Sequence, residues 1–158
     1  MEPKEILQYM DSVRAETLKR LTSLTQEQLD WRPPQGEGEE AWSLGEIFMH
    51  LAIDEHYLRE QIARPLLEGV KPPDSIDFYP PSPPYGAPIA VITFWFDRAR
   101  TMTRRLIENW PVNANLELRH QGGFAEASNG AEWLMGYAGH EKFHHRQIDA
   151  VIAQLPKR

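Results

Sequence analysis

Histidine is the residue type in this chain best placed to do chemistry. The 158 residues include six histidines and no cysteine, so disulfides, thiolate-bound zinc, iron–sulfur clusters and a cysteine nucleophile are all excluded. A metal site here must be assembled from His, Asp and Glu. His140 and His144 are separated by about 40° around an ideal helix, so both rings project from one face and can meet a single ion. His145 lies about 140° from His140 and is expected to point elsewhere. His50 falls on an apolar stripe between Ile47 and Leu51 and is expected to face the interior. Two facing helices would then bring His50, His140 and His144 together as metal ligands, with further positions open to water or substrate. The plainer alternative is a set of hydrogen-bonded core histidines. His56 and His120, the latter in a segment that reads as loop, are expected at the surface.

His140-Glu141-Lys142-Phe143-His144 also matches H-E-x-x-H, in which two His bind zinc and the Glu is the general base of a metalloprotease. The extended form of that motif needs Gly and His where this chain has Gln147 and Ala150, and Asp149 is the sole carboxylate after His144. Both departures argue against a protease, and the third ligand must come from upstream. Asp54, one turn after His50, is the candidate catalytic residue. It fits a fourth ligand, an acceptor for an imidazole N–H or a general base, and equally an acid paired with Arg59. Glu141 points about 100° away from His140, which implies an exposed or supporting role. Tyr57 and Tyr137 fall near the same layers, as substrate hydrogen-bond donors or as core residues with a wet hydroxyl. Trp31, Trp42, Trp95, Trp110 and Trp133 are assigned to packing.

These side chains need helices to hold them. Apolar residues recur at helical spacing over four segments, Ile6 to Leu24, Ser43 to Ile62, Ile89 to Trp110 and Ser128 to Leu155. Ser43 followed by Glu46 is a capping-box pattern that starts the second, and Thr25 with Gln28 is a weaker one that starts a short turn. No segment alternates with the period of a strand, and the connection from Pro111 to Ala127 reads as loop. Eight of the thirteen prolines lie from Pro65 to Pro88, a stretch that reads as a stiff, extended crossover rather than helix interior or central strand. The expected fold class is all-α, a four-helix bundle with that long crossover between its second and third helices.

Composition supports one domain spanning 1–158, since 41% hydrophobic content with five Trp, six Phe and five Tyr supplies a core. A net charge of −6 without a Lys/Arg cluster argues against a nucleic-acid partner. No run approaches the ~18 apolar residues of a membrane span. The N-terminus lacks the basic and apolar regions of a signal peptide. A soluble cytoplasmic protein is expected, acting on a small molecule.

The order Leu21-Thr22, Leu29-Asp30-Trp31-Arg32-Pro33, Trp42-Ser43-Leu44-Gly45-Glu46-Ile47-Phe48-Met49-His50-Leu51 and Gly139-His140-Glu141-Lys142-Phe143-His144-His145-Arg146-Gln147-Ile148 resembles the DinB/YfiT-like superfamily along almost the whole chain. The resemblance implies an up-down-down-up helix order and a divalent metal, zinc or nickel among others, held by three His. Carried over by position, these are His50, His140 and His144. It further implies a metal-dependent hydrolase or a thiol transferase working with a low-molecular-weight thiol, and a homodimer, to which aromatic residues of the crossover around Phe78, Tyr79 and Tyr85 would contribute. The alternative function is a non-catalytic bundle with a structural or vestigial metal site.

Overall fold

A computed structural model describes residues 1–73, 82–122 and 125–157; Phe78 and Tyr79 lie outside them. The described residues are mostly helical. Helix α1 (Pro3–Thr22) is followed by the short α2 (Gln26–Asp30), a 3₁₀ turn (Gly38–Ala41) and α3 (Leu44–Leu58). A π turn (Arg59–Ala63) leads into α4 (Arg64–Leu67), and α5 (Ile89–Glu108) and α6 (Gly130–Gln154) complete the helices. Helix α1 packs on α6 and α5, and α3 packs on α5 and α6.

Local chemistry sets the helix ends. Thr25 and Ser43 each accept from the amide three residues on, while Gln28 and Glu46 reach back to the cap amides, so both expected capping boxes form. Asn129 and Glu132 make a third at the start of α6. Helix α1 begins earlier than its apolar stripe, because Pro3 sits at its first turn and Glu2 caps it with Glu5. Pro65, read as part of the crossover, is instead inside α4. A proline has no N–H to give the carbonyl four residues back and its ring clashes there. The π turn immediately before it fits that constraint, with the Arg64 N–H donating to the Arg59 carbonyl. Gly69, at φ +79°, then ends the run.

The segment expected to be loop carries a small antiparallel hairpin, β1 (His120–Gly122) paired with β2 (Ala125–Ser128). His120, expected at the surface, is buried, and the Trp133 indole donates to its carbonyl at 3.2 Å. The strands are too short for a period-two pattern to show in the sequence. Trp95, expected to pack inside, is 41% exposed. Tyr85 lies on the surface, its hydroxyl donating to the Asp30 carbonyl at 2.8 Å and its ring under the Arg32 guanidinium.

Among the described residues two apolar clusters form the core. One gathers Leu21, Leu44, Ile47, Leu51, Phe96 and Ile148, the other Ile6, Met10, Leu58, Ile107, Trp133 and Tyr137. Along every long helix a charged residue falls between its contributions to the two clusters: Arg14, Glu55, Arg100 and Glu141. These four meet. Arg14 Nε donates to Glu141 Oε1 at 2.8 Å and its Nη2 to Glu55 Oε2 at 2.6 Å. Arg100 Nε donates to Glu55 Oε1 at 2.9 Å and Nη1 to Asp11 Oδ1 at 2.8 Å. Thr17 donates to Glu141 at 2.6 Å, and the Tyr137 hydroxyl donates to the Leu51 carbonyl at 2.8 Å while accepting from Arg14. Tyr137 is thus a core residue whose hydroxyl is spent, not a substrate donor. Glu141 is fully buried, which overturns the exposed alternative for it.

Burial would raise the Glu55 carboxyl, but the Arg14 and Arg100 charges outweigh it and hold it at about 2, against 4.5 ordinarily. Because the folded value lies below the unfolded one, the stabilisation is complete above about 4.5 and is lost as pH falls towards 2. Glu55→Gln is expected to cost about 3 kcal/mol at neutral pH, since it leaves buried guanidinium charge unbalanced. Urea unfolding of both proteins over a pH series checks this, the gap between them narrowing as pH falls from 4.5 to 2.

Candidate metal centre

The centre sits beside this charged layer. Ser43 is fully buried and anchors the first turn of α3, and Arg32 clamps its capping partner Glu46 through two hydrogen bonds of 3.0 and 2.6 Å. Two turns later α3 presents His50, against which the Trp42 ring packs at 4.9 Å between centroids. Helix α6 presents His140 and His144 from successive turns, their ring centroids 4.5 Å apart. One ligand atom from each of His50, His140 and His144 lies within 4.8 Å of the others, the one such group among the described residues. His50 and His144 are buried and His140 is partly buried.

Asp54 adjoins two of these rings. Its Oδ2 lies 3.3 Å from His50 Nε2 and 3.1 Å from His140 Nε2, with the two imidazole Nε2 atoms 3.3 Å apart. The alternative pairing with Arg59 does not occur. Arg59 is fully buried, pairs with Glu60 and donates to the Ala99 carbonyl and Thr103, tying the π turn to α5.

The remaining candidates fall outside. His145 turns away, as its angle requires, and places Nε2 2.8 Å from Thr17 Oγ1. His56 is exposed beside Arg59, and Tyr57 stands edge-on to it. Gln147 is the residue that sequence reasoning missed. Its Oε1 lies 2.7 Å from His144 Nδ1, and its Nε2 donates to the Glu39 carbonyl at 2.6 Å. The signal was its spacing, three residues after His144 on the same helical face; the Glu39 contact had none.

Electrostatically the centre favours neutral rings at His50 and His144. Burial is the largest influence on His144 and, with the neighbouring His140, lowers its pKa to about 4. Burial also lowers His50, partly opposed by Asp54. A neutral ring offers one bare nitrogen to a cation. His144 Nε2 is such an atom: it is buried and has no hydrogen-bond partner. A buried polar atom left in this state is costly unless something occupies it. Three imidazole nitrogens with a carboxylate alongside are the donor set of zinc, nickel and related ions, so the residues present fit a divalent metal.

The model of the DinB superfamily matches residues 9–148. The chain belongs to the DinB superfamily. No curated protein and no solved structure gives a significant match to it. In this DinB-superfamily chain the matched span contains His50, His140 and His144, the three rings of the candidate centre.

Without metal, the buried neutral state of His144 carries a pH cost. The unfolded ring takes up a proton near 6.5 and the folded ring only near 4, so stability falls as pH drops between those values. His144→Leu is expected to flatten that part of the profile, measured by thermal unfolding in the presence of a chelator.

Proposed function

We propose that this DinB-superfamily chain is a single up-down-down-up four-helix bundle that holds a divalent cation on His50, His140 and His144 and acts on a small molecule. The observation that carries this reading is the convergence of three imidazole ligand atoms within 4.8 Å, one of them buried and without a partner. The bundle topology is supported by the order in which the helices pass the two apolar clusters. Helices α1 and α6 run from the cluster of Ile6 and Trp133 to that of Leu21 and Ile148, whereas α3 and α5 run the other way.

A bound zinc or nickel ion would supply positive charge that lowers the pKa of a water or a thiol, giving a nucleophile near neutral pH. The chain's own residues prepare for this. Low pKa values keep the His50 and His144 rings unprotonated and able to donate lone pairs. Asp54 Oδ2, within 3.1 to 3.3 Å of two of the rings, is placed to accept a proton from the nucleophile. His140, 15% exposed at its side chain, is the ring of the three nearest to solvent. The chain has no cysteine, so a thiol for group transfer would come from a diffusible low-molecular-weight thiol.

Elemental analysis of protein purified without a His tag and supplemented with zinc or nickel is expected to show one ion per chain, falling at least tenfold in His144→Ala. Wild type without stoichiometric metal sinks the reading. For catalysis, Asp54→Asn is expected to keep the metal and lose on the order of 10² in turnover. Activated esters, and electrophiles with added thiols, are the substrates to screen, and turnover without thiol would count against transfer.

A homodimer is also proposed, supported by half-exposed Phe94 and Trp95 together on α5. Phe94→Ser is expected to shift the mass measured by light scattering from dimer to monomer.

A further inference from the structure

We propose that Gln147 is a positioning residue: tethered to the Glu39 carbonyl, it fixes His144 in the tautomer that leaves Nε2 bare. This rests on the metal-site reading above. Glu39 presents a backbone carbonyl 2.6 Å from the Gln147 amide, and a carbonyl only accepts. The amide nitrogen must therefore face Glu39, because the reversed amide would set two oxygens against each other at that distance. Gln147 Oε1 is then the atom 2.7 Å from His144 Nδ1. An amide oxygen also only accepts, so Nδ1 must carry the proton. In a neutral imidazole, a proton on Nδ1 leaves Nε2 with its lone pair, and Nε2 is the buried atom without a partner.

The tether reaches outside the bundle. Glu39 belongs to the exposed 3₁₀ turn of Gly38–Ala41, and its carbonyl also accepts from the Trp42 N–H at 3.2 Å. The Trp42 ring packs on His50. One backbone carbonyl thereby braces a ring from α3 and a ring from α6, through different side chains. The bond partner of a ligating imidazole sets its tautomer and orientation, and its loss commonly reduces metal affinity 10–100-fold.

The test uses the full chain, ¹⁵N-labelled and stripped of metal, with long-range ¹H–¹⁵N correlation spectra of the imidazoles and His144→Gln for assignment. Wild type is expected to show His144 with a protonated Nδ1 and a bare Nε2. Gln147→Leu, which removes both bonds, is expected to lose this single tautomer and to bind zinc 10–100-fold more weakly. Gln147→Glu can accept from Nδ1 but cannot donate to Glu39, and it is expected to keep the tautomer with a smaller loss of affinity. A wild-type His144 protonated at Nε2 overturns the proposal, as does a folded Gln147→Leu with tautomer and affinity unchanged. Should Gln147→Leu fail to fold, the wild-type and Gln147→Glu tautomers decide. Wild type that takes up no zinc overturns the metal-site reading instead, and the tautomer recorded in the metal-free sample still decides the part of Gln147.

Discussion

The arrangement depends on charge held where charge is expensive. Arg14, Glu55, Arg100 and Glu141 come from four different helices and meet between two apolar clusters. Desolvating any one alone would cost several kcal/mol, so no member is tolerable unless the other helices deliver their partners. The layer constrains register as well as proximity. Sliding one helix by a turn, roughly 5.4 Å, would leave buried charge without its partner. Apolar clusters on either side would accept such a shift far more easily, since dispersion and burial are not directional.

The imidazoles inherit that register. Glu141 lies between His140 and His144 on α6 but about 100° from His140 around the axis, so it faces α1 while the two rings face α3. On α3 the neighbours Asp54 and Glu55 divide in the same way, one towards the rings and the other towards the arginines. Ion pairing on one side of each helix thus aims the ligand set on the other. The H-E-x-x-H match takes a different meaning here. Its Glu is held by Arg14 and Thr17, which makes it a brace for the helix that carries the histidines.

The parts legible from sequence were those governed by local rules. Capping at Ser43 and Thr25, the helical stripes and the shared face of His140 and His144 follow from spacing and hydrogen-bond chemistry within a few residues, whereas His50, 90 residues from His140, could be read only as facing inward on its own stripe. The misreadings share a cause. His120 is buried because Trp133 and a short hairpin cover it, and Trp95 is exposed because α5 turns that edge outward; of the two readings open for Tyr137, the core one holds because its hydroxyl is spent on a carbonyl of another helix. Each outcome depends on a residue distant in sequence, which no window of local periodicity contains.

Sequence by itself determined the chemical repertoire: no thiol, imidazole and carboxylate ligands only, and helices that turn chosen histidines inward. It also determined family membership, carried by motifs along almost the whole chain. Tertiary structure alone decided which carboxylate serves which partner. Asp54 and Glu55 are adjacent and chemically alike, as are many acids on the surface, yet one joins the imidazoles and the other two arginines. The difference is a rotation of about 100° about α3, and its consequence depends on what the facing helices bring to each side. Gln147 shows the same division. Its place on the His144 face is a matter of sequence spacing, whereas the direction of its amide, and with it the His144 tautomer, depends on a carbonyl 108 residues away.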